Sequence, residues 1–252
     1  MRFALRGATA MAVVCLCACV GGTETGNPSV PIVIPLELRS SEPSAVAIRS
    51  GDASAVLKEA WVAIGTPVFL EAGECGNLED MGKPGPTLVA ADLAQPDARI
   101  ELDVRPQRYC GMWVPMQQHT PRAELPDGAP AELASGSFVL KGARDDGTPF
   151  VLAHPEQDEI EVVAEDGTFE VSETGPGLLL AFDVAAWMRG IDLATAELNA
   201  EGEIRIDHEA NSALHEIFDA NHECSLELYL DENENGELDE GTDTRISRCA
   251  PN

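Results

Sequence analysis

"GSFVLKGARDDGTPFVL", residues 136–152, reads as two apolar runs around one tight turn. Phe138, Val139 and Leu140 form the first run, and Phe150, Val151 and Leu152 the second. Asp146-Gly147 lies between them, and such a pair accepts the positive φ that a hairpin turn requires. The stretch therefore predicts an antiparallel hairpin. The same logic extends in both directions. "RIELDV", 99–104, sets Ile100, Leu102 and Val104 on one face and Glu101 and Asp103 on the other. Ile160 with Val162, Phe169 with Val171, and Leu226 with Leu228 and Leu230 repeat the alternation. Period two with one apolar face marks half-buried antiparallel strands. Further strands are predicted near Leu36 and over 61–64, 109–114 and 178–182. Short strands punctuated by Gly, Pro and Asp predict a mainly β chain, an antiparallel β-sandwich with one or two short helices packed on it.

Two segments carry helical spacing. "DVAAWMRG", 183–190, is short. The stretch 208–221 is longer, with Leu214, Ile217 and Phe218 on one face and Asp207 as its cap. The Pro-rich stretch 120–130 predicts a surface loop.

The N-terminus reads as an export signal. Arg2 and Arg6 precede an uncharged apolar run, 8–18, too short to span a bilayer. Leu16-Cys17-Ala18 then leads into Cys19. This resembles the lipobox of bacterial lipoproteins, with Cys17 a departure from the usual small residue. The resemblance implies cleavage of 1–18 and lipidation of Cys19, and several acyl chains together make a stable anchor. "GGTETGNP", 21–28, resembles the leader of uncharacterised outer-membrane lipoproteins, and Val20 after the Cys fits that destination. The resemblance implies an outer-membrane protein held by palmitate-type chains. Residues 19–33 then form the lipidated start and a flexible tether, of which 21–31 would reach roughly 40 Å when extended. Residues 34–252 form the domain, which also loosely resembles a sandwich domain of uncharacterised bacterial lipoproteins.

Seven cysteines are present. Cys15 and Cys17 leave with the signal and Cys19 is lipidated, which leaves Cys75, Cys110, Cys224 and Cys249. An even set in an exported domain reads as disulfides, with three possible connectivities. Proximity favours Cys75–Cys110 and Cys224–Cys249. If Leu230 faces Thr244 across a hairpin of 225–249, Cys224 lands within about one residue of Cys249, inside disulfide reach. The mature chain has no CxxC, which argues against a four-cysteine zinc site.

Formal charge is −28, and losing Arg2 and Arg6 takes it to −30. Such a field repels nucleic acid and anionic lipid, and attracts cations. The apolar fraction, 44%, excludes a disordered acidic tail.

Candidate chemistry is sparse. His208, His215 and His222 each precede a Glu at a seven-residue spacing. Residues seven apart on a helix lie about 10 Å apart, so one ion cannot collect all three. His215 and Asp219 have metal-pair spacing but lack a second pair, and these histidines read as a solvated face. No GxSxG, SxxK or Gly-rich phosphate loop is present. Trp61, Trp113 and Trp187 could form a sugar platform, but each sits in an apolar neighbourhood and reads as core.

The acidic stretch "DENENGELDEGTD", 231–243, stands apart. A two-residue Asn235-Gly236 hairpin would set Glu234 against Glu237 and Glu232 against Asp239, which is destabilising. Counted from Asp231, oxygen ligands fall at Asp231, Asn233, Asn235, the carbonyl of Glu237 and Asp239, with Gly236 sixth. The stretch resembles an EF-hand loop or a thrombospondin type-3 calcium loop. Thr242 stands where the bidentate Glu belongs, and Asp243 would substitute. This implies weak, structural calcium binding.

The resulting expectation is a lipid-anchored, non-catalytic envelope protein of structural or binding role, with a calcium loop. The alternative is a carbohydrate- or peptide-binding module of an envelope assembly, with a protein or polysaccharide partner. A hydrolase with an unreadable site stands third.

Overall fold

The computed structural model describes residues 32–40, 47–50, 53–71, 73–75, 89–94, 99–116, 125–239 and 241–249. Cys19 and the segment before Ile32 lie outside the described residues, as do 120–124 of the Pro-rich stretch.

The hairpin forms as β8 (Phe138–Arg144) and β9 (Pro149–His154), with Phe138 opposite His154 and Ala143 opposite Pro149. Asp145, Asp146 and Gly147 make the turn. Arg144 N donates to Thr148 O at 2.9 Å, and Gly147 takes φ +87°. That angle favours glycine at this place in the turn. Its strands bury both faces. Phe138, Leu140, Phe150 and Leu152 enter the main core, while Val139 and Val151 pack with Trp61 and Leu133 on the reverse side. Burial of each large side chain contributes about 1.5–3 kcal/mol. Gly142 allows the close approach of the neighbouring strand, since a Cβ there would lie 2.3 Å from the Val56 carbonyl oxygen.

The other strands are β1 (Ile32–Ser40), β2 (Ala47–Ser50), β3 (Ala53–Ile64), β4 (Val68–Glu71), β5 (Val89–Asp92), β6 (Arg99–Val104), β7 (Gln107–Met116), β10 (Asp158–Ala164), β11 (Phe169–Val171), β12 (Gly177–Phe182), β13 (Ile204–Ile206), β14 (Leu226–Asp231) and β15 (Thr244–Cys249). The fold is mainly β. Its strands form one connected sheet, an open sandwich, whose main path is β13-β9-β8-β3-β7-β10-β15-β14-β12-β1-β6, with β2 and β5 paired to β3 and β4 and β11 to β7 off that path. Pairing is antiparallel except at β1–β12 and β13–β9. The main core cluster runs from Leu38 to Leu228, and smaller clusters around Trp61 and around Trp113 pack elsewhere on the sheet.

The alternation reads out as expected. Ile100, Leu102 and Val104 are buried while Arg99, Glu101 and Asp103 are exposed. Ile160, Val162, Phe169, Val171, Leu226 and Leu228 all face the core. Trp61, Trp113 and Trp187 are buried, so no tryptophan platform exists. β1 starts at Ile32, two residues inside the expected tether.

Two helices pack on the sheet. α1 (Val184–Trp187) is capped by the Asp183 carboxylate, which accepts from Ala186 N at 2.8 Å. α2 spans Ser212–His222, which corrects the expected 208–221. Asp207 does not cap it. Its carboxylate accepts from Glu209 N and Ala210 N, at 2.9 and 2.8 Å, and so winds 207–210 into a separate turn. The helix begins after Asn211, whose φ of 52° breaks the chain direction. Asn211 Nδ2 donates to the carbonyls of Arg205 and Glu197, fixing that corner.

Both disulfides form as proximity suggested. Cys75–Cys110 and Cys224–Cys249 have Cα separations of 6.1 and 5.1 Å. Leu230 stands opposite Thr244, as the counting argument assumed. The second bridge ties the end of α2 to the end of β15. In the chain-entropy picture a loop of this length contributes about 3 kcal/mol.

Candidate metal centre

β9 ends and β10 begins at two residues that the sheet keeps far apart in strand order. His154 closes β9 and Asp158 opens β10, and β8, β3 and β7 lie between these strands. The connecting turn is held from below: Ser137 N donates to the His154 carbonyl at 2.9 Å, and Ser137 Oγ to the Glu156 carbonyl at 2.7 Å. α2 crosses above this turn. His215, Phe218 and His222 follow the i, i+3, i+7 spacing of one helix face, and all three point inward.

The result is a chain of four side chains. His215 Nε2 lies 3.2 Å from His154 Nδ1, and His154 Nε2 lies 2.6 Å from Asp158 Oδ2. His222 Nε2 reaches the same Asp158 oxygen at 3.0 Å. His154 and His222 are 0% and 1% exposed, and His215 6%. Phe138 sets an edge against both inner rings, at centroid distances of 5.8 and 5.1 Å. Phe218 stacks on His222 at 5.1 Å. The expectation of a solvated histidine face is therefore corrected. Of His208, His215 and His222, only His208 stands in solvent. His215 and His222 flank Phe218 on the stripe that the core claims, and His154 gives them a partner there.

Electrostatics follow from this packing. Burial alone would raise the Asp158 carboxyl, but hydrogen bonds with His154 and His222 outweigh it and hold it well below the carboxylate range. Burial pushes His215 down, helped by the neighbouring His154, against the pull of Asp219, Glu156 and Asp207. Two acids stand outside the buried rings. Asp219 Oδ1 is 3.8 Å from His154 Nδ1 and 4.0 Å from His222 Nδ1, and its side chain is 44% exposed.

Among the described residues, acid, histidine or cysteine ligand atoms gather in threes within 4.8 Å of one another in two sets, and both contain His154. The first is His154, Asp158 and His222; the second is His154, Glu156 and Asp219. Two imidazoles and a carboxylate suit a borderline divalent ion such as zinc, with one coordination position left open. Sequence reasoning passed over His154 and Asp158 altogether. "HPEQD" reads as a turn, and the one available signal was a histidine four residues before an acid at the end of an apolar strand.

The acidic loop lies elsewhere. β14 and β15 leave 232–243 as a long loop rather than a two-residue hairpin. Asp231 is buried, and its carboxylate accepts from Asn235 N at 3.2 Å and Gly236 N at 2.8 Å. Asn233 and Asn235 both donate side-chain N–H to Asp239 Oδ2 at 2.8 Å. Asp243 accepts from Glu232 N and Asp239 N. Glu237 is exposed, and its N–H donates to Asn235 Oδ1. Asp231, Asn233, Asn235, Asp239 and Asp243 are thus joined by hydrogen bonds around one turn. A separate groove of about 450 Å³, lined by Trp61, Lys58, Arg99 and Asp92 among others, shares no residue with the histidine cluster.

No family model and no curated protein matches the chain. Among solved structures it is similar to "MbnP from Methylosinus trichosporium", with a TM-score of 0.39 and 11% identity over 68% of this chain and 82% of that one. A likeness that distant carries no argument about function.

Proposed function

We propose that this chain is a lipid-anchored, outer-membrane envelope protein of binding rather than catalytic role, and that its ligand is a divalent transition-metal ion. The observation that carries the metal reading is the convergence of buried His154 Nε2 and His222 Nε2 on the partly exposed Asp158 Oδ2. The outer groups of both rings are already placed for such a site. His222 Nδ1 lies 3.3 Å from the Phe218 carbonyl, and His154 Nδ1 faces His215. With the N–H on Nδ1 of each ring, Phe218 O and His215 Nε2 accept, and both Nε2 lone pairs turn toward Asp158. Ligating histidines are oriented in this way by a second hydrogen bond. Metal-free, the same rings donate to the Asp158 carboxylate instead. Loading requires the contacts to widen, because bonds of about 2.0–2.1 Å hold tetrahedral ligand atoms about 3.3 Å apart.

The test is cobalt or zinc titration of the metal-free mature domain, with folding followed by circular dichroism. Wild type should retain the ion through gel filtration, and His222→Gln and Asp158→Asn should lower affinity by at least 10-fold. A folded wild type that retains no ion would overturn the reading.

A second reading concerns 231–243. The buried Asp231 carboxylate and the turn wound around it support weak structural calcium binding, on the order of 10⁻⁴ to 10⁻³ M as in extracellular modules. A carbohydrate or peptide ligand lacks comparable support, since the three tryptophans are packed inside.

A further inference from the structure

The His154 ring has two nitrogens, and the fold surrounds each with its own set of donors. Nε2 faces Asp158 and His222. Nδ1 faces His215 Nε2 at 3.2 Å and Asp219 Oδ1 at 3.8 Å, and His154, Asp219 and Glu156 form a set whose ligand atoms all lie within 4.8 Å of one another. The 3.8 Å between His154 Nδ1 and Asp219 Oδ1 is wider than the roughly 3.3 Å between donors around a small tetrahedral ion, so this side closes on loading whereas the inner contacts widen. Glu156 and half-exposed Asp219 open this side to solvent, while His154 behind them is wholly buried. Two carboxylates before buried imidazoles, in a chain of formal charge −28, form an attractive entrance for cations.

We propose that this outer side is a second metal site, built from Glu156, Asp219 and the Nδ1 of His154, so that the loaded protein holds two divalent ions with the His154 ring between them. The proposal rests on the inner site described above. A neutral imidazole has one free lone pair. With an ion on each nitrogen, His154 gives up its ring proton to solvent and binds as imidazolate. The hydrogen bond between His154 Nδ1 and His215 Nε2 is then lost. The class of ligand follows from the donors. Mixed imidazole and carboxylate groups fit zinc, cobalt or nickel, whereas calcium takes six or more oxygens.

The experiment counts ions retained by the folded, metal-free domain after saturation with zinc and gel filtration. Wild type should hold two equivalents, and the Glu156→Gln/Asp219→Asn double variant one. Both substituted residues are surface acids, so the double variant keeps the buried rings. One ion in wild type and one in the double variant would overturn the second site and leave the inner one standing. Two ions in the double variant would also overturn it, because the second ion would then sit elsewhere. One ion in wild type and none in the double variant would overturn both assignments in favour of a single outer site. No ion in wild type would remove the proposed function itself.

Discussion

His215 shows how one buried ring couples stability to pH. It is 6% exposed, and burial with a neighbouring imidazole lowers its proton affinity below that of a free histidine. The unfolded chain therefore binds more protons than the folded one below the ordinary histidine pKa of about 6.5. This contribution is fully present above that value and is lost as pH falls through it toward the depressed folded value. Asp158, held low by its two histidine partners, adds a second loss below the ordinary carboxylate value of about 3.9. The metal-free protein should melt at a lower temperature at pH 5.5 than at pH 7.5, and His215→Gln should shrink that difference. Equal pH slopes for the two proteins, measured by differential scanning calorimetry with chelator present, would contradict it. The same residue explains why the site was hard to read in the sequence. His215, Phe218 and His222 carry the spacing of a core stripe, but histidines are commonly assigned to water. The apolar neighbours Leu214 and Ile217 drew the helix face toward themselves, although both are only partly buried.

At the scale of elements, strands and their hairpin partners were legible, and partners distant in sequence were not. Alternation located β6, β10, β11 and β14 because a half-buried strand imposes period two on its own residues. Nothing local encodes that β13 pairs parallel with β9, or that β9 and β10 are separated by three strands while their ends meet. Those facts depend on how the whole sheet closes over its core, and the candidate centre depends on them. The β14–β15 loop is the counter-example, since its residues are contiguous. Its hydrogen bonds hold the ligand-type side chains around Asp231, and the Arg39 guanidinium from β1 donates to the Gly236 carbonyl. If the loop binds calcium at the affinity of extracellular modules, about 5 mM calcium stabilises the fold by about 1–2 kcal/mol. That corresponds to a rise in melting temperature of about 2–8 °C for a domain of this size. Magnesium should give a smaller rise, and Asp231→Ala and Asp239→Asn should abolish it. A wild type whose melting is unmoved between chelator and millimolar calcium would exclude the site.

For the whole molecule, the proposed anchor lies before the fold. Residues 1–31 carry the lipobox-like Cys19 and the Pro-interrupted leader, and the described structure begins directly after them at Ile32. Among the described residues no helix is long and apolar enough to cross a membrane. Membrane attachment through Cys19 therefore predicts that Cys19→Ala shifts the protein from the membrane fraction to the soluble periplasmic fraction in cell fractionation. Incorporation of labelled palmitate into that variant would contradict the assignment. Under the proposed anchoring, force on the chain would reach the sheet through β1. A tug on the leader enters at Ile32, along the axis of β1. The first part of β1, from Ile32 to Glu37, is zipped antiparallel to β6, and Leu36 to Ser40 is laid parallel to β12. Tension is thus directed along the hydrogen-bond ladders, loading many rungs at once in shear instead of peeling them singly. Were Cys19 to anchor the chain as proposed, the strand nearest that anchor would resist mechanical unravelling because β6 and β12 clamp it on both sides.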